Sequence, residues 1–466
     1  MKLAVVGLLA VIAGCAAQDD EYTPSGPPDQ GVDTGEGGKE DSPAPGPTVP
    51  VAQQSPDIGQ FFMVDHYGVS ETGFADVRAK IKNNNLGAII LWNPTGASGE
   101  TLRTMIRGYS ELAQASGRDE LFYAADQEEL HTQRFNAANG FTTLVQGSTL
   151  GGASSRDQLC ELHARITARE LASVGMNMAL GTVSDIYTSD SGTRGMFRTR
   201  AISSDPANVA PCIVAMTKAY AEEGHVAYIT KHFPGLGNAS GNTDVDASVQ
   251  TRSRTKSAME RELAPYRAAA AAVTAADAWP YVGTMISHAS YPVIDGGGPA
   301  TLSHTILTDF LRGSDTRTYG GKDASGAATS FTGIGFHGIT VSDAFWTWGA
   351  TKGLTAIERQ RLMARAFLAG IDVLMIPKTD FTGAWGYFQE VYANMLPVSE
   401  QKALIAATGY ASWDDLRAAF RARITESAAR IRTVKSTLGR STTFMKTGPA
   451  RDASADLVDE YRQLAD

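Results

Sequence analysis

Little in this sequence marks a metalloprotein. Eight histidines occur among 466 residues, and none stands in an HExxH pattern or at a Cys/His spacing, so no metal site is expected. Long basic runs are missing too. With 41 Lys and Arg against 50 Asp and Glu, the formal charge is -9, which argues against a nucleic-acid partner and fits a neutral or modestly charged small ligand. The GxG of PGLGN (234–238) follows an apolar run but has neither a helix-opening GxGxxG nor an acidic partner, so no dinucleotide or other cofactor is expected. No internal repeat is present, and nothing in the pattern specifies an oligomer. The amino-terminal apolar run, Leu3–Ile12, falls well short of the roughly 20 residues that a membrane span needs.

That run, preceded by Lys2 and followed by small residues, has the layout of a secretory signal. Within it Ile12-Ala13-Gly14-Cys15 resembles the lipobox of bacterial lipoproteins, with Ile in place of the commoner Leu. Residues 1–15 are therefore expected to be a lipoprotein signal with Cys15 as the acylated residue, which implies a lipid anchor to a membrane outside the cytoplasm. Residues 16–55 turn abruptly to Pro, Gly, Asp, Glu and Ser, a composition that cannot offset its ordering entropy by burial, and are expected to be a disordered tether. Cys160 and Cys212 lie in segments patterned as helices. An oxidising compartment permits a bridge between them, and two separately buried thiols fit equally well.

From residue 56 to 440 the chain alternates. The apolar runs QFFMVD, GAIILWN, LFYAAD, MNMALGTVSD, VAYITKH, VGTMISH, HGITVSD and GIDVLMIP are separated by segments such as RDQLCELHARITARELASVG, whose apolar residues recur at the helical period. Eight strand-then-helix units predict a single α/β domain, a (β/α)8 TIM barrel. Polar residues fall at the carboxyl ends of these runs: Asp65, Asn93, Asp126, Asp185, Lys231 with His232, His288 and Asp343. That is the face where barrels build their sites. Asp and Asn also cap helices, which accounts for some of the set, but Lys231, His232 and His288 are poor caps.

Five segments resemble family 3 glycoside hydrolases, of the single-barrel, NagZ-like β-N-acetylglucosaminidase branch, over about Gly59 to Gly439. FYAADQEELHTQRF resembles that branch's DQEGGRVQRF, TRAISSDP its RSFSSDP, KHFPGLG its KHFPGHG, SHASYPVIDGGGPATLS its AHVVYPALDPxPATLS, and GITVSDAF its GVVVSDDL. The resemblance implies a retaining exo-glycosidase acting on N-acetylglucosamine-containing glycans such as peptidoglycan or chitin-like fragments. It makes Asp343 the nucleophile and Asp126, Arg134, Arg200, Lys231 and His232 the substrate-binding residues, with His288 as support. The family's first arginine and two glycines are replaced by His131, Glu129 and Leu130, which implies a bulkier loop.

The branch takes its acid/base from a loop histidine supported by an aspartate, in KHFPGHGDTxVDSH. Here that place reads TDVDAS. With the inserted residues set between Gly237 and Asn242, Asp246 matches the aspartate and Ser248 the histidine; without a gap, Asp244 falls on the histidine. An unactivated serine hydroxyl titrates too high to serve, so Asp246 and Asp244 are the candidate acid/base groups. The alternative is a glycan-binding barrel of the cell envelope with impaired catalysis. The insert GSDTRTYGGKDASGAATS precedes the seventh strand and is expected to be a flexible loop on the amino-terminal face. Residues 441–466 are expected to be a loosely packed tail.

Overall fold

A computed structural model describes residues 49–68, 71–93, 96–188, 197 and 199–465. Cys15 and most of the expected tether lie outside the described residues, as does the side chain of Asn93. The eight apolar runs form the barrel strands β1 (Phe62–Tyr67), β2 (Ala88–Asn93), β3 (Phe122–Asp126), β4 (Met178–Val183), β5 (Ala227–Phe233), β6 (Val282–Ile286), β9 (Thr340–Ser342) and β10 (Leu374–Ile376). A separate pair, β7 (Thr316–Lys322) and β8 (Ala328–Thr332), makes an antiparallel hairpin.

The barrel strands pair in parallel in the order β10-β1-β2-β3-β4-β5-β6-β9. The ring closes where Ser342 N–H donates to Val373 O at 2.9 Å and Phe345 N–H to Met375 O at 3.0 Å. Strands such as β3 and β6 are buried at every position, which is why they read as continuous apolar runs. This is the (β/α)8 barrel that the alternation predicts.

The helices are α1 (Glu71–Asn84), α2 (Gly99–Ala115), α3 (Gly147–Gly152), α4 (Arg156–Ser173), α5 (Pro206–Glu223), α6 (Lys256–Ala276), α7 (Ala356–Ala369), α8 (Phe381–Ala393), α9 (Val398–Thr408), α10 (Trp413–Leu438) and α11 (Ala455–Ala465). Their starts follow local chemistry. Asp205 caps α5 by accepting from Ala207 N–H at 3.0 Å, with Pro206 in the first turn, where a missing N–H costs nothing. Thr355 and Glu358 form a capping box on α7. Cys160 of α4 and Cys212 of α5 are joined in a disulfide, with Cα atoms 5.4 Å apart.

Three expectations are corrected. The tether does not run to residue 55: Val49 is buried, and Ser55 exchanges two 2.9 Å hydrogen bonds with Gln389 of α8. The insert before the seventh barrel strand is the β7–β8 hairpin, because its alternating residues put Tyr319 and Phe331 against Phe310. Nor does it stay on the amino-terminal face. Lys322 N–H reaches Pro292 O at 2.9 Å and Ala324 N–H reaches Arg254 O at 3.0 Å, both in loops that follow strands β6 and β5. The tail is not loose: α11 buries Val458 and Tyr461.

Candidate active site

The cavity at the carboxyl end of the barrel is lined by residues from separate strand ends, among them Asp126, Glu128, Arg134, Arg200, Lys231, His232, Asp244 and Asp343. Six of these come directly from the resemblance. Asp126 ends β3, and its Oδ1 accepts from Lys231 Nζ at 2.7 Å. Lys231 also donates to Leu180 O at 3.0 Å and lies 2.6 Å from Glu128 Oε1. Burial works against its charge, but Asp126 and Glu128 outweigh that and raise its pKa. Arg134 stacks over the Trp92 ring at 4.5 Å and lies 3.7 Å from Asp126 Oδ2. Trp92 and Arg134 both line the cavity, so the ring forms an aromatic wall behind the guanidinium.

Glu128 is the member that the sequence reading leaves out. It is fully buried, and Arg200 grips it in a two-pronged pair, Nε to Oε2 and Nη2 to Oε1, both at 2.8 Å. Burial alone would raise its pKa, yet Arg200 and Lys231 hold it down to about 2. Its signal is in the DQE of FYAADQEELHTQRF, two residues past Asp126. Period-2 alternation puts both side chains on one face if the strand is continued, which turns the second carboxylate toward the same cations.

Asp185, expected only as a polar residue at the end of its strand, is the group that orients His232. Its buried carboxylate accepts from His232 Nδ1 at 2.7 Å, His232 N–H at 3.0 Å, Leu236 N–H at 2.7 Å and Tyr266 OH at 3.1 Å. A carboxylate only accepts, so Nδ1 of His232 carries a proton, and Nε2 is left to face the cavity. His288 stands behind the cavity wall, stacked on Trp348 at 4.1 Å, with Nδ1 donating to Thr301 Oγ1 at 2.8 Å. Burial lowers its pKa to about 4, so it is neutral and does not transfer protons near pH 7.

The loop after β5 separates the two acid/base candidates. Asp246 is exposed and lies outside the cavity lining; its Oδ2 accepts from Asn242 N–H at 2.9 Å and closes a tight turn. Ser248 is exposed as well. Asp244 points inward and lines the cavity with Asp343. The loop is held down by the Gly349 N–H, which donates to Thr243 O at 2.9 Å.

The environments of the two carboxyls drive them apart. Asp244 is pushed up to about 6 by burial and by the facing Asp343, with a Thr347 contact pulling the other way. Asp343 is also buried, which raises its pKa, but His232, the Ala344 N–H at 2.8 Å and Lys231 hold it below the ordinary carboxylate value. Below about pH 6 one carboxyl is thus protonated beside one that is ionised, the division that acid-and-nucleophile chemistry requires.

The altered loop at 129–131 turns away from the cavity. Glu129 Oε1 accepts from His131 N–H at 3.1 Å and Thr132 N–H at 2.8 Å, and His131 itself is exposed, with Nε2 3.0 Å from Gln146 Nε2. Among the described residues no cluster of His, Cys, Asp and Glu could hold a metal ion.

Paired carboxyls over a bed of hydrogen-bonding charges, at the carboxyl end of a parallel barrel, are what the glycoside-hydrolase class of barrel presents. The chain belongs to glycosyl hydrolase family 3: the model of that family's N-terminal domain matches residues 56–406. A β-hexosaminidase of Aromatoleum aromaticum is 28% identical over 312 residues, covering 65% of this chain and 76% of its own. The family 3 β-N-acetylglucosaminidase of a Paenibacillus species has the same fold, with a TM-score of 0.66 at 21% identity over 90% of this chain and 69% of that one. NagZ of Neisseria gonorrhoeae, solved with N-trifluoroacetyl-D-glucosamine, superposes with a TM-score of 0.53 at 24% identity over 75% of this chain and 97% of its own.

Proposed function

We propose that this chain is a retaining exo-β-N-acetylglucosaminidase that uses Asp343 as nucleophile and Asp244, in place of the branch's histidine, as acid/base. The observation that carries the reading is the pair itself: Asp244 and Asp343 line one cavity, the first with its pKa raised to about 6 and the second with its pKa lowered. In the first step the Asp343 carboxylate bonds to the anomeric carbon as the glycosidic C–O bond breaks, and the Asp244 proton goes to the leaving oxygen. In the second, Asp244, now a carboxylate, takes a proton from water as that water displaces Asp343, which restores both groups. Asp126 accepts from sugar hydroxyls, Arg134, Arg200 and Lys231 donate and His232 Nε2 completes the set, while the fully buried Glu128 holds Arg200 and Lys231 in place. The names of the relatives support N-acetylglucosamine as the sugar. Peptidoglycan or chitin-like fragments are the substrates, met outside the cytoplasm by a protein acylated at Cys15.

A chromogenic N-acetylglucosaminide tests the reading. The wild type releases the chromophore with retention of the anomeric configuration, and Asp343→Asn abolishes turnover. Sugar binding without turnover by the wild type would instead mark a glycan-binding barrel. For the anchor, Cys15→Ala is expected to release the protein from membranes; if the variant stays bound, acylation at that residue is wrong.

A further inference from the structure

The loop from residue 127 to 146 carries Glu128 and Arg134, and its inner side is held by Arg200 and Lys231. Its outer side is held by a segment beyond the family match, which ends at residue 406. We propose that residues 441–465 form a strap that positions this sugar-recognition loop, with Tyr461 and Ser454 as the positioning residues. The proposal rests on the glycosidase reading only in naming what the loop recognises.

Three bridges connect strap to loop. In the first, His163 of α4 lies 2.8 Å from Glu128 O through Nε2 and 2.9 Å from the Tyr461 hydroxyl through Nδ1. A carbonyl only accepts, so the imidazole hydrogen is on Nε2 and Nδ1 is the acceptor. The single Tyr461 hydrogen must then point at Nδ1, and the hydroxyl oxygen accepts from Val145 N–H at 3.0 Å. Every direction in this chain is fixed, and one hydroxyl fastens both ends of the loop. His163 is fully enclosed, and burial holds its pKa to about 4, so it stays neutral.

In the second bridge, Ser454 Oγ donates to Glu170 Oε1 at 2.6 Å while Glu170 Oε2 accepts from Thr142 N–H at 2.9 Å. In the third, Arg451 N–H donates to Gly140 O at 3.0 Å. These contacts fall on loop backbone at Glu128, Gly140, Thr142 and Val145. The strap therefore fixes where the loop lies, which packing of α11 on α4 alone would not require. The exposed pairs Arg169–Asp456 and Gln158–Glu460 add little to this, since such contacts contribute little in water.

The test uses full-length Tyr461→Phe, Ser454→Ala and Ser454→Thr. Hydrogen–deuterium exchange without sugar is expected to speed up within 127–146 by roughly five- to thirtyfold in Tyr461→Phe and in Ser454→Ala, the effect of one or two lost buried hydrogen bonds. Strands β5 and β9 should be unchanged, and Ser454→Thr, which keeps the hydroxyl, should restore protection. KM for the chromogenic N-acetylglucosaminide rises by a similar factor while kcat changes less than about twofold, because sugar placement rather than proton transfer is loosened. Exchange in 127–146 that does not change, or that rises equally across the barrel, overturns the strap. If Tyr461→Phe does not fold, the Ser454 pair decides the matter alone. A wild type that turns over no glycoside, but whose variants show the local exchange, would refute the proposed activity and leave the strap standing.

Discussion

Gly349 lies directly beneath Asp246: a Cβ on that glycine would come within 2.5 Å of the Asp246 carbonyl carbon and oxygen, closer than any real Cβ contact. The absent side chain is what lets the loop from 242 to 248 close and carries Asp244 into the cavity. Gly349→Ala is therefore expected to lift the loop and cut kcat/KM toward the level of an enzyme without its acid/base, about 10²-fold or more. The barrel should melt within a few degrees of wild type. Unchanged kcat/KM in the folded variant would show that the loop does not need this seat.

The pH profile follows from the same two carboxyls. In the proposed mechanism the active form has Asp343 ionised and Asp244 protonated. Asp343 is shifted below its ordinary value, so the acid limb of kcat/KM should lie below about 3.8, and Asp244 at about 6 should set the alkaline limb. Activity is expected to be highest between these and to fall as pH rises through 6. The alkaline limb should disappear in Asp244→Asn. A limb that stays in that variant belongs to another group.

At the opposite end of the barrel, Asp372 accepts from Arg312, Arg423, Arg430, Ser427 and the Thr340 N–H and hydroxyl, all within 3.1 Å. Burial raises its pKa, but the three guanidiniums win and hold it well below the usual range. Asp372→Ala leaves three part-buried cations facing one another and should cost about 3–5 kcal/mol of stability, read by chemical denaturation. The variant's kcat, per folded molecule, should not change, since no strand end at the site is touched.

The Cys160–Cys212 bridge closes a loop with a sequence separation of 52 between α4 and α5. Its loss in the double Ala variant should cost about 2–4 kcal/mol, mainly by releasing the unfolded chain. Denaturation that is the same in oxidised and reduced wild type would mean that the thiols are not joined in solution.

The eight strands are legible because they are apolar runs buried in the barrel, and seven of them end in a polar residue, so apolar runs and their punctuation coincide with strand and strand end. Asp126, Arg134, Arg200, Lys231, His232 and Asp343 are legible through the motifs that hold them. The choice between Asp244 and Asp246 is not, because both alignments of TDVDAS are sound and only the seat on Gly349 decides which side chain turns inward. The roles of Glu128 and Asp185 are not legible for another reason: the DQE pattern and the strand end place the two side chains, but their partners Arg200 and His232 lie tens of positions away. In the tail, ADLVDEYRQLA has apolar Leu457, Val458, Tyr461 and Leu464 at helical spacing, but His163, the partner of Tyr461, and Glu170, the partner of the preceding Ser454, lie about three hundred residues earlier.

The most direct measurement compares leaving groups in Asp244→Asn. If Asp244 gives its proton to the departing oxygen, the variant should cleave an activated dinitrophenyl N-acetylglucosaminide at near wild-type kcat/KM and lose about 10²- to 10⁴-fold on an unactivated alkyl glycoside. Equal losses on both substrates, or none on either, would contradict that role.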